Sequence, residues 1–529
     1  MAKKRVKPAP TQTLRSPERR FSIPRRTVLY LCLGVFVLLV LLSFDPKPFL
    51  GGDNATYILL AKGLVQGKGF RDIWAPGMPP HTQYPFGFPL FLAPFVAAFP
   101  HPLIPMKLFV FLLAFISLLL VHALSKQTLP QEQSLFLLAL TCLSPTLIEF
   151  SHWVLSEVPY LGVSFLALFL LKDREDSWKD WRFWLGVVAV AFAYHIRTAG
   201  IALVAALPLY VLIKRRWAAF GISLLSLFLL LLPWVLRNRG LSHEGGYLQQ
   251  FLLKEPYNPA LGYATLSDFI GRFGMNLKIY ALQVLPGFIF PPLGEAQPGG
   301  IATLIGLALT VLCLWGLVAQ GRENIRLTHV YLVCYLGVSL LWPSVWSDRR
   351  FLLPVLPLLL GIFISGTFSL SGILWKQKPK ILGTILISLS GFTALWVNLT
   401  IIPSQMNNTM AYMQGDEFAG YPEPYVTFFQ AADWIKANTE PNAVVISRKP
   451  TLFYLRAERP SFIYPFTPSP ESLASAIEKN RAGYIVVDQV SGTTQRYLIP
   501  ALRPGIPARY ELIYQTPEPA TYVLRIKRL

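Results

Sequence analysis

The chain has 529 residues, of which 53% are apolar and only 14% charged, and its mean hydropathy is positive. Soluble domains carry about 25% charged residues, so the composition excludes an ordinary soluble protein and points to a polytopic membrane protein. The net charge of +20 does not make it a nucleic-acid binder, because the cations cluster in a terminal tail and in short loops between apolar runs.

In chain order, residues 1–26 form a basic tail with nine Lys/Arg and one Glu, expected on the cytoplasmic side. The apolar stretch from Thr27 to Phe44 is too long for a signal-peptide core and no small-residue cleavage site follows it. It reads as a retained first span. Ten further apolar runs follow at roughly 104–124, 133–149, 158–172, 182–196, 199–213, 218–236, 300–320, 328–346, 351–373 and 380–401. Each approaches the length that crosses a ~30 Å hydrocarbon core. The basic loops "IKRR" (213–216), "GRENIR" (321–326) and "WKQKPK" (375–380) then fall on the side of the N-terminus.

The long first loop (45–103) and the C-terminus are expected on the outer side of a plasma (inner) membrane. "PFGFPLFLAPFVAAF" (85–99) is too short and too rich in Pro and Gly to span. It reads as a helix on or dipping into the outer face, and 276–293 reads the same way. The stretch 240–275, with "HEGGY", reads as a mobile lid over the site. From 402 to 529 the pattern turns to alternating helix and strand, with 13 Lys/Arg and 11 Asp/Glu. That suits a small α/β domain on the outer face. The expected organisation is a basic tail (1–26), a transmembrane domain (27–401) and an extracytoplasmic domain (402–529). The four cysteines lie in apolar runs and fit packing, not disulfides or a metal site.

Ionisable groups at a bilayer are costly and tend to be functional. Asp53 follows Gly51 and Gly52 where the chain leaves the first span. It reads as a catalytic carboxylate, or as a cap for a helix over 54–65. Glu157 opens the fourth span in "SHWVLSEVPY" and reads as a second catalytic acid, or as half of a buried ion pair. Arg197, Arg237, Arg349 and Arg350, with His81 and Tyr84, are the candidate substrate-binding residues. Arginine forks suit phosphate and a nearby carboxylate suits proton abstraction from an attacking hydroxyl. The bland alternatives are snorkelling anchors for the arginines and interface-belt packing for Tyr84. His81, His152, His195 and His243 show no HExxH or His-x-His spacing.

"GGDNATYILLAKGLVQGKGF" followed by "HTQYPFGFPLFLAPFVAAF" resembles the first outer loop of the GT-C membrane glycosyltransferases. The similarity is to the protein mannosyltransferase-like group (glycosyltransferase family 39) and the aminoarabinose lipid A transferases. "LSEVPY", "AYHIRTAGI", "PWVLRN", "DRRFLLPVLPLLL" and "AADWIKANTEPNAVVISRKP" resemble later landmarks of these enzymes, in order. The resemblance implies a polytopic helical fold with its active site on the outer face. It also implies a polyprenyl-phosphate sugar donor and transfer with inversion. By the same match Asp53 is the base, Glu157 the second-loop acid, and Arg349 or Arg350 a cation near the donor phosphate. The family departs from this chain in two places. The mannosyltransferases carry an acidic pair where Asp53-Asn54 stands. The lipid A enzymes carry Glu and Lys where Gln83 and Tyr84 precede Pro85, and that Glu helps them hold a metal. No cofactor is therefore assigned, with a divalent metal as the one candidate. The acceptor stays open among lipid, glycan and protein. A transporter, flippase or binding protein for lipid-linked saccharides is the alternative, although no internal repeat of the kind transporters show is visible.

Overall fold

The computed structural model describes residues 24–241, 246–295, 299–378 and 380–527, so the expected basic tail lies largely outside the described residues. Helix α1 (Arg25–Leu42) buries Leu33, Phe36 and Val40 along one stripe, the 3.6-residue period of a helix with one packed side. Tyr30, Leu31, Leu38 and Leu41 on its other side stay exposed. The first loop then folds into α2 (Asp53–Val65) and α3 (Gly87–Ala98). The bundle continues through α4 (Leu103–Thr128), α5 (Gln131–Leu143), α6 (Pro145–Phe150), α7 (Glu157–Leu171), α8 (Trp181–Ile196), α9 (Ile201–Ile213) and α10 (Trp217–Arg239).

Next come α11 (Tyr247–Leu252), α12 (Leu266–Ile279), a π-turn over Tyr280–Val284, α13 (Leu285–Ile289) and α14 (Pro292–Glu295). The bundle closes with α15 (Gly300–Glu323), α16 (Leu327–Leu341), α17 (Arg349–Leu352), α18 (Leu356–Leu374) and α19 (Ile381–Met413). Among the described residues six helical segments are long and apolar enough to cross a membrane. Four of the other expected spans are shorter apolar helices, and the expected span 133–149 is broken at Ser144 into α5 and α6, where Pro145 starts a new helix. The protein is a multi-pass membrane protein.

The segment Arg349–Leu374 is the hub, with 78% of its most apolar window buried against 22–39% for the other long helices. Its contact with α15 is close because both partners are glycine there. A Cβ on Gly316 would run into the Ile362 carbonyl, and one on Gly366 into the Leu312 carbonyl, the small-residue packing that substitutes for a hydrophobic driving force in lipid. Polar clamps tie further helices together. Tyr160 and Tyr331 share a hydrogen bond of 2.9 Å, and Asn398 Nδ2 donates to the Leu143 carbonyl at 2.9 Å.

Two sequence expectations change in detail. The last span does not stop near 401: α19 continues to Met413, because Met406 packs on the bundle and Thr409 Oγ1 donates to the Phe44 carbonyl at 2.8 Å. The described part of the expected lid is folded, since Thr265 forms a capping box for α12 and Arg272 donates to the Phe251 carbonyl at 2.6 Å. Residues 242–245, which include the "HEG" of "HEGGY", lie outside the described residues. The 85–99 and 276–293 segments form α3 and the broken α12–α14 series, neither long enough to span.

The tail folds as α20 (Glu423–Asn438), β1 (Val445–Ile446), α21 (Pro450–Ala457), β2 (Ser461–Phe462), α22 (Pro470–Asn480), β3 (Tyr484–Val487), α23 (Ile499–Leu502), β4 (Tyr510–Gln515) and β5 (Tyr522–Ile526). The sheet order is β2-β1-β3-β5-β4. The first three strands are parallel and the last two antiparallel, with Ile485 opposite Leu524. This unit grips the first loop. Ser461 N donates to the Trp74 carbonyl at 2.7 Å, Lys449 Nζ to Gly51 O at 2.9 Å and Thr451 Oγ1 to Gly52 O at 3.2 Å.

Candidate active site

Gly52 enters α2 with φ +99°, a left-handed conformation that glycine tolerates and other residues resist. Asp53 is therefore the first helical residue, and its side chain makes no capping bond. The capping alternative is not realised. The carboxylate turns inward instead. Oδ1 accepts from Tyr84 OH at 3.0 Å, and Oδ2 pairs with Arg350 Nη2 at 2.6 Å.

Arg350 reaches this point because Asp348 caps α17, taking the Arg350 N–H on Oδ1 at 2.7 Å. The same guanidinium donates through Nε to Glu157 Oε1. It thus bridges two carboxylates brought by α2 and α7. Glu157 is fully buried. Arg197, from the extended turn between α8 and α9, donates to Glu157 Oε1 at 2.8 Å and to Ser156 Oγ at 3.0 Å. Tyr57 OH also donates to Ser156 Oγ, at 3.0 Å. Glu157 Oε2 keeps no hydrogen-bond partner, leaving one buried acceptor free.

The cluster contains two acids and two arginines, and a third cation, Lys449, adds its charge from the tail. Burial pushes the Asp53 carboxyl up, but Arg350, Tyr84 and Lys449 together hold it below the ordinary carboxylate value. Burial and the Asp53 charge push the Tyr84 phenol well above its usual range, so Tyr84 remains a donor. Asp53 is thus ionised at neutral pH. A carboxylate offers about four lone-pair sites, so both oxygens retain room for an incoming proton.

The structure brings Asp53, Glu157, Arg350, Arg197 and Tyr84 together and separates the other candidates from them. His81 takes the Tyr84 N–H on Nε2 at 2.8 Å and meets Asp72 through Nδ1 at 2.6 Å. With Nε2 accepting, Nδ1 carries the proton to Asp72, and the ring links the Tyr84 backbone to Asp72. Arg237 donates to the carbonyls of His81 (2.8 Å) and Phe70 (3.1 Å), and its guanidinium lies over Trp234. That anchors the first loop rather than adding a cation at Asp53. Arg349 points away and pairs with Glu149 at 2.8 Å, so of the two adjacent arginines only Arg350 joins the carboxylates. Neither the snorkelling reading of Arg350 nor the belt reading of Tyr84 survives their inward contacts.

The resemblance left a divalent metal as a candidate. The donor set present does not fit one. Among the described residues no three His, Cys, Asp or Glu side chains gather as ligands. The place a cation would take between Asp53 and Glu157 is filled by the Arg350 guanidinium, and both nitrogens of His81, which adjoins Tyr84, are engaged.

Three contributors escaped the sequence reading. Lys449 lies nearly four hundred residues from Asp53 in the chain, and its only signal was the basic pair in "ISRKP". Tyr57 and Ser156 were hidden inside quoted stretches, because an ordinary helix tyrosine and a loop serine carry no mark of a shared hydrogen bond.

The fold has counterparts among solved structures. ArnT from Cupriavidus metallidurans bound to undecaprenyl phosphate superposes with a TM-score of 0.54 at 13% identity, covering 95% of this chain and 98% of that one. The Archaeoglobus fulgidus oligosaccharyltransferase complexed with Zn and sulfate gives 0.55 at 13% identity, over 94% and 72%. The archaeal oligosaccharyltransferase AglB from the same organism, with an inhibitory peptide and a dolichol-phosphate, gives 0.50 at 13% over 87% and 69%. No protein-family model and no curated protein matches the chain. At such identities the likeness is one of fold. It is the polytopic helical fold with a small C-terminal α/β domain that the sequence resemblance implied.

Proposed function

We propose that the chain is a membrane glycosyltransferase that moves a sugar from a polyprenyl-phosphate donor to a lipid, glycan or protein acceptor, with Asp53 as base. Its setting is the plasma (inner) membrane, with the N-terminus cytoplasmic and the site and tail domain on the outer face. The observation that carries this reading is the Arg350 guanidinium held between Asp53 and Glu157, an ionised base beside preorganised positive charge. Two solved proteins of this fold hold polyprenyl phosphates, which supports the donor class.

In the proposed reaction an acceptor hydroxyl or amine lies against Asp53. Its heteroatom forms a bond to the anomeric carbon as the bond from that carbon to the phosphate oxygen breaks. The proton passes to Asp53, and the electron pair leaves with the polyprenyl phosphate. Inversion follows from attack opposite the leaving group. Arg350 and Lys449 supply positive charge where the leaving oxygens become more negative, the kind of fixed field that is most effective in a water-poor site. Arg197 and Glu157 hold Arg350 in place. Transporters also use intramembrane acids, but the sequence shows no internal repeat of the kind they carry and its first loop is large, so the transfer reading is preferred.

The reading is tested by incubating purified protein with a panel of polyprenyl-phosphate sugars and a crude lipid and glycan extract. Extract-dependent release of polyprenyl phosphate, with a matching mass gain on one acceptor, supports it. Tight donor binding without release from any donor contradicts it.

A further inference from the structure

A second enclosure lies behind the Asp348–Arg350 turn. It is a cavity of ≈ 600 Å³, walled by the end of α1, by α6 and the turn after it, by the α12–α14 segment and by α19. This is the size of a small-molecule site. Three carboxylates line it, Asp45, Glu149 and Asp348, against one guanidinium, Arg349. With the Lys47 that Asp45 holds counted in, the charge at this wall is −1 (three acids less two bases). Glu149 meets Arg349 at 2.8 Å, and Asp45 meets Lys47 at 2.8 Å. Carboxylates are acceptors only, and the cations Arg349 and Lys47 are already paired with acids, so this wall offers acceptors to hydroxyl and ammonium groups and little free positive charge to a phosphate.

A separate observation points to an occupant. His152 lines the same cavity, is only 3% exposed, and its Nδ1 has no hydrogen-bond partner. Buried polar atoms are nearly always paired, and an orphan calls for an explanation. One side of the cavity is apolar, through Ile279, Phe288 and Ile401. Ile401 is also 41% exposed on the spanning helix α19. The cavity thus reaches the lipid-facing surface.

We infer that this cavity binds a hydroxyl- or amine-bearing polar head without phosphate, on a membrane amphiphile whose chain leaves past α19. The inference rests on the transfer reading, because the turn that walls the cavity also sets Arg350 between Asp53 and Glu157. The donor phosphate and the acceptor's reacting group belong with Asp53 and the cations around it, and the phosphate-free head of the amphiphile belongs with the acids behind them.

The test uses the full-length protein in phosphatidylcholine nanodiscs. Three photoreactive probes share one diazirine-bearing alkyl chain and differ in head: a glucoside, a primary amine and a phosphate. The glucoside or amine probe should label 145–153, 279–288 and 397–405 several-fold more than the phosphate probe. Val397→Trp, which fills the cavity, and the milder Glu149→Gln should each lower that labelling while the melting temperature is kept as a check on folding. Equal or stronger labelling by the phosphate probe overturns the inference. So does labelling spread over all lipid-facing helices and unchanged in both variants. Competition by methyl glucoside as strong as by octyl glucoside overturns the amphiphile and favours a soluble sugar. Failure here is separable from failure of the transfer reading. Donor release with labelling elsewhere removes only the pocket. Pocket labelling with no release from any donor removes the transferase and leaves a lipid-head site.

Discussion

Asp53 stands between two opposed effects. Burial favours its neutral form, while Arg350, Tyr84 and Lys449 favour the anion, and the anion wins. The acid limb of the pH–rate profile should then lie below the ordinary aspartate value of about 3.9. Removing the cation reverses the balance: in Arg350→Gln the Asp53 carboxyl rises, and the acid limb should move to higher pH alongside a fall in rate. A limb unmoved in that variant would detach Asp53 from proton transfer. Gly52 carries a different burden, at φ +99°. Gly52→Ala should cost about 1–2 kcal/mol through the left-handed backbone alone, read as a lowered melting temperature. Asp53 was legible because an acid at the exit of a span is conspicuous. The choice between Arg349 and Arg350 was not. They are neighbours in sequence, and only the Asp348 cap decides which guanidinium turns toward the carboxylates. His81 and Arg237 were marked by residue type, but type does not say that their hydrogen bonds go to the loop itself.

At the scale of helices, α18 meets α15 through glycine. Gly366→Val should push the two apart, with overpacking of about 1–3 kcal/mol. Thermal unfolding in detergent would measure it, and a wild-type melting temperature would show that the helices approach less closely than described. The spans were readable because apolar length is set by bilayer thickness. The end of α19 was not, since "IPSQMNNTMAYM" loses its apolar run although its backbone stays helical to Met413. Long-range contacts hold that turn, from Met406 to the bundle and from Thr409 to Phe44, and periodicity within the segment does not reveal them. The α12–α14 series shows the same limit. Its helices are amphipathic in sequence, but the tie from Arg272 to the Phe251 carbonyl is visible only in three dimensions.

For the whole molecule, the tail is part of the site and not an appendage. It clasps the backbone on both sides of Gly51 and Gly52, and Tyr497 OH donates to the Tyr257 carbonyl at 2.8 Å, joining it to the segment before α12. Lys449→Met should therefore lower turnover by about tenfold, the order expected from one charge-assisted contact, while leaving the transmembrane helices folded. Circular dichroism and donor release measured on the same sample would check both halves of that statement. The existence of this domain was legible from its alternation of helix and strand. Its docking was not, because the contacts join residues some four hundred positions apart.

The central claim is that Asp53 takes the acceptor's proton. The measurement that reaches it most directly is acceptor-dependent release of polyprenyl phosphate by Asp53→Asn beside the unaltered protein, with melting temperatures matched. Loss of a general base lowers rate by about 10²–10⁴-fold, and a fall of that order at unchanged fold is the predicted result. Equal release from both proteins would contradict the account and leave the Asp53–Arg350 pair as a structural bridge.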